Sequence, residues 1–96
     1  MSFRFHPDAE AEFLDAIQYY EDVEPGLGLD LAVEVYAAIQ RAVAYPKAWM
    51  EFDREIRRCL VRRFPYGVLY TETNDGIFIL AVMHLHRDPE TWKRRV

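Results

Sequence analysis

The chain has 96 residues, 51% of them apolar and 15% aromatic, which is enough for one folded domain and excludes a disordered chain. Its formal charge is −4, which excludes the uniformly basic surface of a dedicated nucleic-acid binder. Cys59 is the single cysteine, so an intramolecular disulfide is excluded, a thiolate-built metal site is disfavoured, and no cofactor is implied.

No apolar run approaches the roughly 18 residues of a membrane span. The opening "MSFRFHPDAE" lacks the apolar segment of a secretory leader, so a cytoplasmic location is expected. Charge is unevenly spread. Residues 1–48 hold three basic and nine acidic groups, whereas residues 49–96 hold nine and seven. Most of the positive charge sits in "REIRRCLVRR" (54–63) and "HRDPETWKRR" (86–95). A zone this local favours a protein partner over RNA or DNA.

"SFRFH" (2–6) alternates apolar and polar residues and predicts a short strand. Pro7 suits the first turn of a helix, and Asp8 and Glu10 suit its positive end. Ala9, Phe13, Ala16, Ile17 and Tyr20 then recur at helical spacing, leaving Glu10, Glu12, Asp15 and Glu21 to water. "EPGLG" (24–28) breaks the helix. A second follows, with Leu31, Ala32, Val35, Tyr36, Ile39, Ala42 and Val43 on one face. It stops near Tyr45, because Pro46 disfavours helical geometry in the residue before it. Two amphipathic helices joined by a short turn predict an antiparallel hairpin.

The second half changes period. "IRRCLVRRF" (56–64) and "GVLYTET" (67–73) read as strands, and Asn74-Asp75-Gly76 as a tight hairpin turn between neighbours. "IFILAVMHL" (77–85) is apolar on both faces and predicts a strand covered on both sides. Asp88 and Pro89 then open a short C-terminal helical turn. No repeat or linker interrupts residues 1–96.

Several residues carry candidate chemistry. On a strand, Arg58 and Arg62 share one face with Ile56, Leu60 and Phe64, and Arg57 and Arg63 share the other with Cys59 and Val61. Two readings stay open: an edge strand whose charges discourage aggregation, or a groove for an acidic or amphipathic segment. Phe64, Tyr66 and Tyr70 suit a core and a turn. Glu10, Glu12, Asp15, Glu21 and Asp22 are too solvent-facing for an acid–base pair, and Cys59 fits a small core position. Alternation puts His84 on the face of Phe78, Leu80 and Val82, as a hydrogen-bonded core histidine or as a catalyst. His86 and Arg87 stand at the strand's end. A histidine moves protons near neutral pH and an arginine holds a phosphate, so ribonuclease chemistry is conceivable.

The stretches "HPDAEAEF", "YYEDVEPGLG", "YPKAW", "IRRCLVRRFPYGVLY" and "AVMHLHRDPETWKRR", in this order, resemble the RelE/ParE superfamily of bacterial type II toxins. That superfamily includes proteins described as plasmid stabilisation proteins, and the resemblance covers nearly the whole chain. It implies an α+β fold, β-α-α-β-β-β with a short C-terminal helical turn, its helical hairpin packed on a small, mainly antiparallel sheet. It also implies a cognate antitoxin that binds the sheet and adjoining helices in a hetero-oligomer, here through Arg58, Arg62, Phe64 and Tyr66.

The RNA-cleaving branch carries a phosphate-binding arginine after the tyrosine, where this chain has Gly67, and an RNA-stacking aromatic near the C-terminus, usually tyrosine, where it has Trp92. "HLHRDPETW" is closer to the ParE-like branch, whose members inhibit DNA gyrase by binding it. The expectation is therefore a gyrase-binding end formed by His86, Arg87, Trp92, Lys93, Arg94 and Arg95. The alternative is a ribosome-dependent mRNA endonuclease using Arg58, His84, His86 and Arg87. A third outcome is a non-toxic relative that still binds an antitoxin.

Overall fold

The structure, a computed structural model, describes residues 2–86 and Arg95. The strand β1 (Ser2–Phe5) leads into α1 (Pro7–Val23) and α2 (Leu27–Ala44), followed by β2 (Glu51–Asp53), β3 (Ile56–Leu60), β4 (Tyr66–Thr73) and β5 (Gly76–His84). The strands form one sheet in the order β1-β5-β4-β3-β2, with β1 parallel to β5 and every other pair antiparallel. The α+β architecture expected from the residues is the one observed, with β2 an unforeseen short addition. The expected C-terminal helical turn lies outside the described residues.

Local chemistry explains the helix ends. Pro7 stands at the first turn of α1, and the His6 imidazole caps it, with Nδ1 accepting from the Asp8 N–H at 3.0 Å. Gly26, at φ 91°, turns the chain into α2. The Glu21 carboxylate then accepts from the N–H groups of Gly26 (2.9 Å) and Gly28 (3.1 Å), capping α2 from the neighbouring helix. Glu21 therefore has a structural task that its solvent-side position did not suggest.

Both helices cover one face of the sheet. Phe13 and Ala16 of α1 and Leu31, Val35, Ile39 and Ala42 of α2 pack on Cys59, Val68, Tyr70, Ile77, Ile79 and Val82. The opposite face holds a smaller buried cluster of Ile56, Leu69, Leu80, Ala81 and Met83, joined by Phe78. Hence β5 is apolar on both faces, as its composition predicts.

Three expectations need correction. The stretch 56–64 is not one strand: β3 stops at Leu60, and residues 62–65 form bends. Pro65 lacks an N–H for a ladder, and Arg63 adopts φ 71°, which turns the chain. Arg62 is thus exposed off the strand, and Phe64 swings into the helix-side core, away from the face of Arg58.

The second correction concerns β5. Its register with β4 shifts between Leu69 and Tyr70, whose partners are Ala81 and Ile79, so Leu80 is an extra residue. Leu80 and Ala81 both lie in the outer cluster, and alternation changes phase after them. His84 consequently shares the helix-side face with Val82, not the face of Phe78 and Leu80.

Third, the hairpin turn is one residue shorter than expected. The turn is Asn74–Asp75, and Gly76 opens β5 opposite Ser2, where any Cβ would collide with the Ser2 backbone.

Candidate functional site

A cleft of about 590 Å³ opens between α1 and the ends of β4 and β5. Asp15, Tyr19 and Tyr20 form its helical wall, and Tyr66, His84 and His86 its floor and rim. The bulge at Leu80 creates this arrangement by turning His84 towards the helices. The Tyr66 ring stands edge-on to the His84 ring at 5.4 Å, and the His84 and His86 rings lie 5.3 Å apart. Nδ1 of His84 accepts from the His86 N–H at 3.2 Å.

Arg58 belongs elsewhere. On β3 it faces Leu69, and its stem lies against Gly67, where an added Cβ would meet its Cγ and Cδ at 3.1 Å. Leu69 and Ile56 mark this as the outer face, whereas His84 and Tyr66 belong to the helix side. The sheet therefore separates Arg58 from both histidines. No arginine or lysine lines the cleft among the described residues, which present Glu12 and Asp15 instead. A phosphate placed between His84 and His86 would stand beside the Asp15 carboxylate, and the described guanidinium that reaches this wall, that of Arg95, is engaged by Glu12.

The basic residues divide by task. Arg57 donates to the carbonyls of Trp49 (2.7 Å) and Lys47 (3.3 Å), holding the loop after α2. Arg41 donates to the Leu60 carbonyl at 3.1 Å, and Arg63 pairs with Asp30 at 3.4 Å. Arg95 is the least expected case. Its Nη1 and Nη2 donate to the two oxygens of Glu12 at 2.9 and 2.8 Å, and Nη1 also reaches the Leu80 carbonyl at 3.0 Å. The Asp8 carboxylate stands 3.8 Å from its Nε. Only 11% of the Arg95 side chain and 17% of Glu12's are exposed, and the hydrogen bonds it donates to Glu12 push the arginine's pKa further up. Arg95, expected on a target-binding surface, is folded into the domain, and Glu12, expected in water, is its partner.

The remaining expected site residues fall as follows. Tyr66 is half-buried in the cleft, Phe64 is buried, Arg62 is exposed, and His86 stands at the rim. Arg87, Trp92, Lys93 and Arg94 lie outside the described residues. The outward side of the hairpin adds Leu14, Leu29 and Val33, each more than half exposed. These were passed over because a helical period reads only the buried stripe.

A family model described as "ParE toxin of type II toxin-antitoxin system, parDE" matches residues 3–89. The chain belongs to the ParE toxin family. "Toxin ParE2" from two strains of Mycobacterium tuberculosis is similar to it, 31% identical over 88 residues that cover 90% of this chain and 83% of the relative. Among solved structures, one described as "Chromosomal ParDE TA system from P. aeruginosa" shares the fold. Its TM-score is 0.75 at 18% identity, over 88% of this chain and 95% of that one. A ParE-type toxin of a type II toxin–antitoxin system is thus the class to which the cleft and the arginines belong. No helix among the described residues is long and apolar enough to cross a membrane.

Proposed function

We propose that this ParE-family chain blocks growth by binding DNA gyrase in the cytoplasm and is neutralised by a cognate antitoxin in a hetero-oligomer. The observation that carries this reading is the separation of Arg58 from His84 and His86 by the sheet. Phosphate cleavage needs an acid, a base and a charge stabiliser converging on a single centre. An inhibitor that acts by binding needs only a surface. We assign that surface to His86, Arg87, Trp92, Lys93 and Arg94, which precede Arg95 in the chain. The antitoxin is assigned to exposed Arg62, to Arg58, and to the apolar outward side of the hairpin, an amphipathic surface suited to a segment that orders on contact.

The test is a plasmid cleavage assay with purified gyrase. The chain is expected to raise gyrase-dependent breaks, and the pair Lys93→Ala and Arg94→Ala to abolish them while Arg95 keeps the fold closed. Codon-positioned mRNA cuts on translating ribosomes, lost on replacing His86, would instead establish the endonuclease. Neither breaks nor cuts, with an antitoxin still bound, would mark a non-toxic relative. For the antitoxin surface, Arg62→Glu should weaken the complex in a calorimetric titration without changing the melting temperature. Unchanged affinity would remove Arg62 from that surface.

A further inference from the structure

The outward seam of the helical hairpin differs in chemistry from the arginine-bearing face of the sheet. The Phe13 ring of α1 stands 5.5 Å from the Tyr36 ring of α2, and any Cβ on Gly28 would collide with the Ile17 carbonyl. These contacts fix the antiparallel register of the two helices. Leu14 and Glu21, seven residues apart, share one side of α1. Because Glu21 reaches across to the N–H groups of Gly26 and Gly28, Leu14 borders α2 as well. On α2, Leu29, Val33 and Tyr36 follow one another at helical spacing. Leu14, Leu29, Val33 and Tyr36 are 59, 67, 58 and 45% exposed. Single exposed apolar residues are ordinary on a surface, but a stripe shared by two helices marks an interaction site. Tyr36 is braced by Phe3 of β1 at 6.4 Å, so its ring is held in place before any partner arrives.

The backbone of this seam is closed, because the N–H and C=O groups in the middle of a helix are spent within it. An extended segment laid here would bury its own N–H and C=O groups against leucine and valine, which offer no hydrogen bonds. A helix satisfies its own backbone and presents side chains alone. The seam therefore selects a helix.

Charge selects its sign. Residues 7–44 hold nine carboxylates and a single basic group, Arg41. The described guanidinium groups that reach the hairpin are engaged: Arg95 by Glu12, Arg63 by Asp30, and Arg41 at the Leu60 carbonyl. Glu10, one turn before Leu14, and Glu21, two turns after it, bracket the seam on the α1 side. A second copy of this chain would bring a second acidic hairpin and be repelled. Exposed Arg62, beyond β3, presents the opposite sign.

We propose that the antitoxin segment seated on this seam is an amphipathic helix whose apolar stripe is flanked by lysine or arginine. It is opposite in charge to the segment that meets Arg62. The inference rests on the reading of the hairpin as an antitoxin surface, and adds the form and the sign of its occupant. The apolar stripe packs on Leu14, Leu29, Val33 and Tyr36, and the flanking cations meet Glu10 and Glu21. An antitoxin that is acidic throughout would suit the arginines and be rejected by the hairpin, so the two surfaces together select a partner of divided charge.

The probes are three capped peptides of about 15 residues, long enough to form a helix, followed in ¹⁵N-resolved spectra of the full chain. One carries leucine along one helical face with lysine beside it. The second replaces lysine by glutamate, and the third is the lysine peptide with two central prolines. The lysine peptide should shift the amide signals of Leu14, Leu29, Val33 and Tyr36, and the proline peptide should leave them in place. The glutamate peptide should bind about threefold or more weakly, in line with exposed charge pairs. Leu14→Ser combined with Val33→Ser alters exposed positions only, and should weaken the lysine peptide about tenfold or more. No shift at these amides overturns the proposal. Equal binding of the proline peptide overturns the helical form, and equal binding of the glutamate peptide overturns the charge selection. Titrating the same double variant with the cognate antitoxin tests the underlying reading separately. Unchanged antitoxin affinity removes the antitoxin from the hairpin and overturns the assignment of the occupant, whatever the peptides show.

Discussion

The helix-covered face of the sheet and its outer face are made by the same strands, yet they carry different loads. Two helices press on the inner face and bury Tyr70, Ile77, Ile79 and Val82 against a broad apolar hairpin. The outer face holds a smaller buried cluster, with Arg58 laid across Gly67 and Arg4 placed 5.4 Å from the ring of Phe78. The inner face supports the fold and, at its end, the histidine cleft; the outer face presents guanidinium groups. Because a sheet keeps its two sides apart, His84 and Arg58 are placed for separate contacts and not for one reaction centre.

The largest expected effect tests that division of load. Ile79→Ala on the inner face should cost about 3–4 kcal/mol, from lost burial and the cavity left behind. Its neighbour Phe78, half-buried on the outer face, should cost about 1–2 kcal/mol on replacement by alanine. Urea unfolding measures both, and equal costs would break the contrast between the faces.

The seam between α1 and the edge of β5 comes next. Glu12→Gln keeps an acceptor for the Val82 N–H but removes the charge that Arg95 binds, at a cost of about 1–3 kcal/mol. A double-mutant cycle with Arg95→Met should give a coupling clearly above that of exposed pairs. A coupling under about 0.5 kcal/mol would reduce the contact to ordinary surface pairing.

The smallest effect probes the inner face through its buried phenol. Tyr70 donates to the Pro46 carbonyl at 2.7 Å, and burial pushes its pKa from 10.0 up to about 12. Tyr70→Phe should cost about 1 kcal/mol at neutral pH. The unfolded chain releases this proton from about pH 10, whereas the folded one holds it until about 12. The phenol's contribution is therefore complete below pH 10 and lost as pH rises towards 12. The stability difference between parent and variant should shrink across that window. A constant difference would mean that Tyr70 is not the group responsible.

The sequence made much of this legible, and the exceptions share a cause. Both helices, the Asn74–Asp75 turn and the doubly apolar β5 follow from period and breakers, which are local signals. The phase of His84 was missed because Leu80, the extra residue in β5, looks like any other apolar position; only pairing with β4 reveals it. Arg62 and Phe64 were misplaced because Pro65, read as following a strand, ends the ladder earlier through Arg63. Glu12 looked solvated because its partner, Arg95, lies at the other end of the chain. Long-range pairings of this kind leave no trace in a window of ten residues.

The parallel pairing of β1 with β5 has a consequence for how the protein is made. β1 leaves the ribosome some seventy residues before its partner β5, and the Ser2 backbone docks against Gly76. Until residues 76–84 are synthesised, β1 has no neighbour and the inner core lacks Ile77, Ile79 and Val82. Folding is therefore postponed until β5 has been made, since vectorial synthesis delivers its contacts after those of the helices. Any ribosome that stalls before β5 releases a chain without its core and without its histidine cleft. For a protein of this family, an interrupted message would yield an inert product.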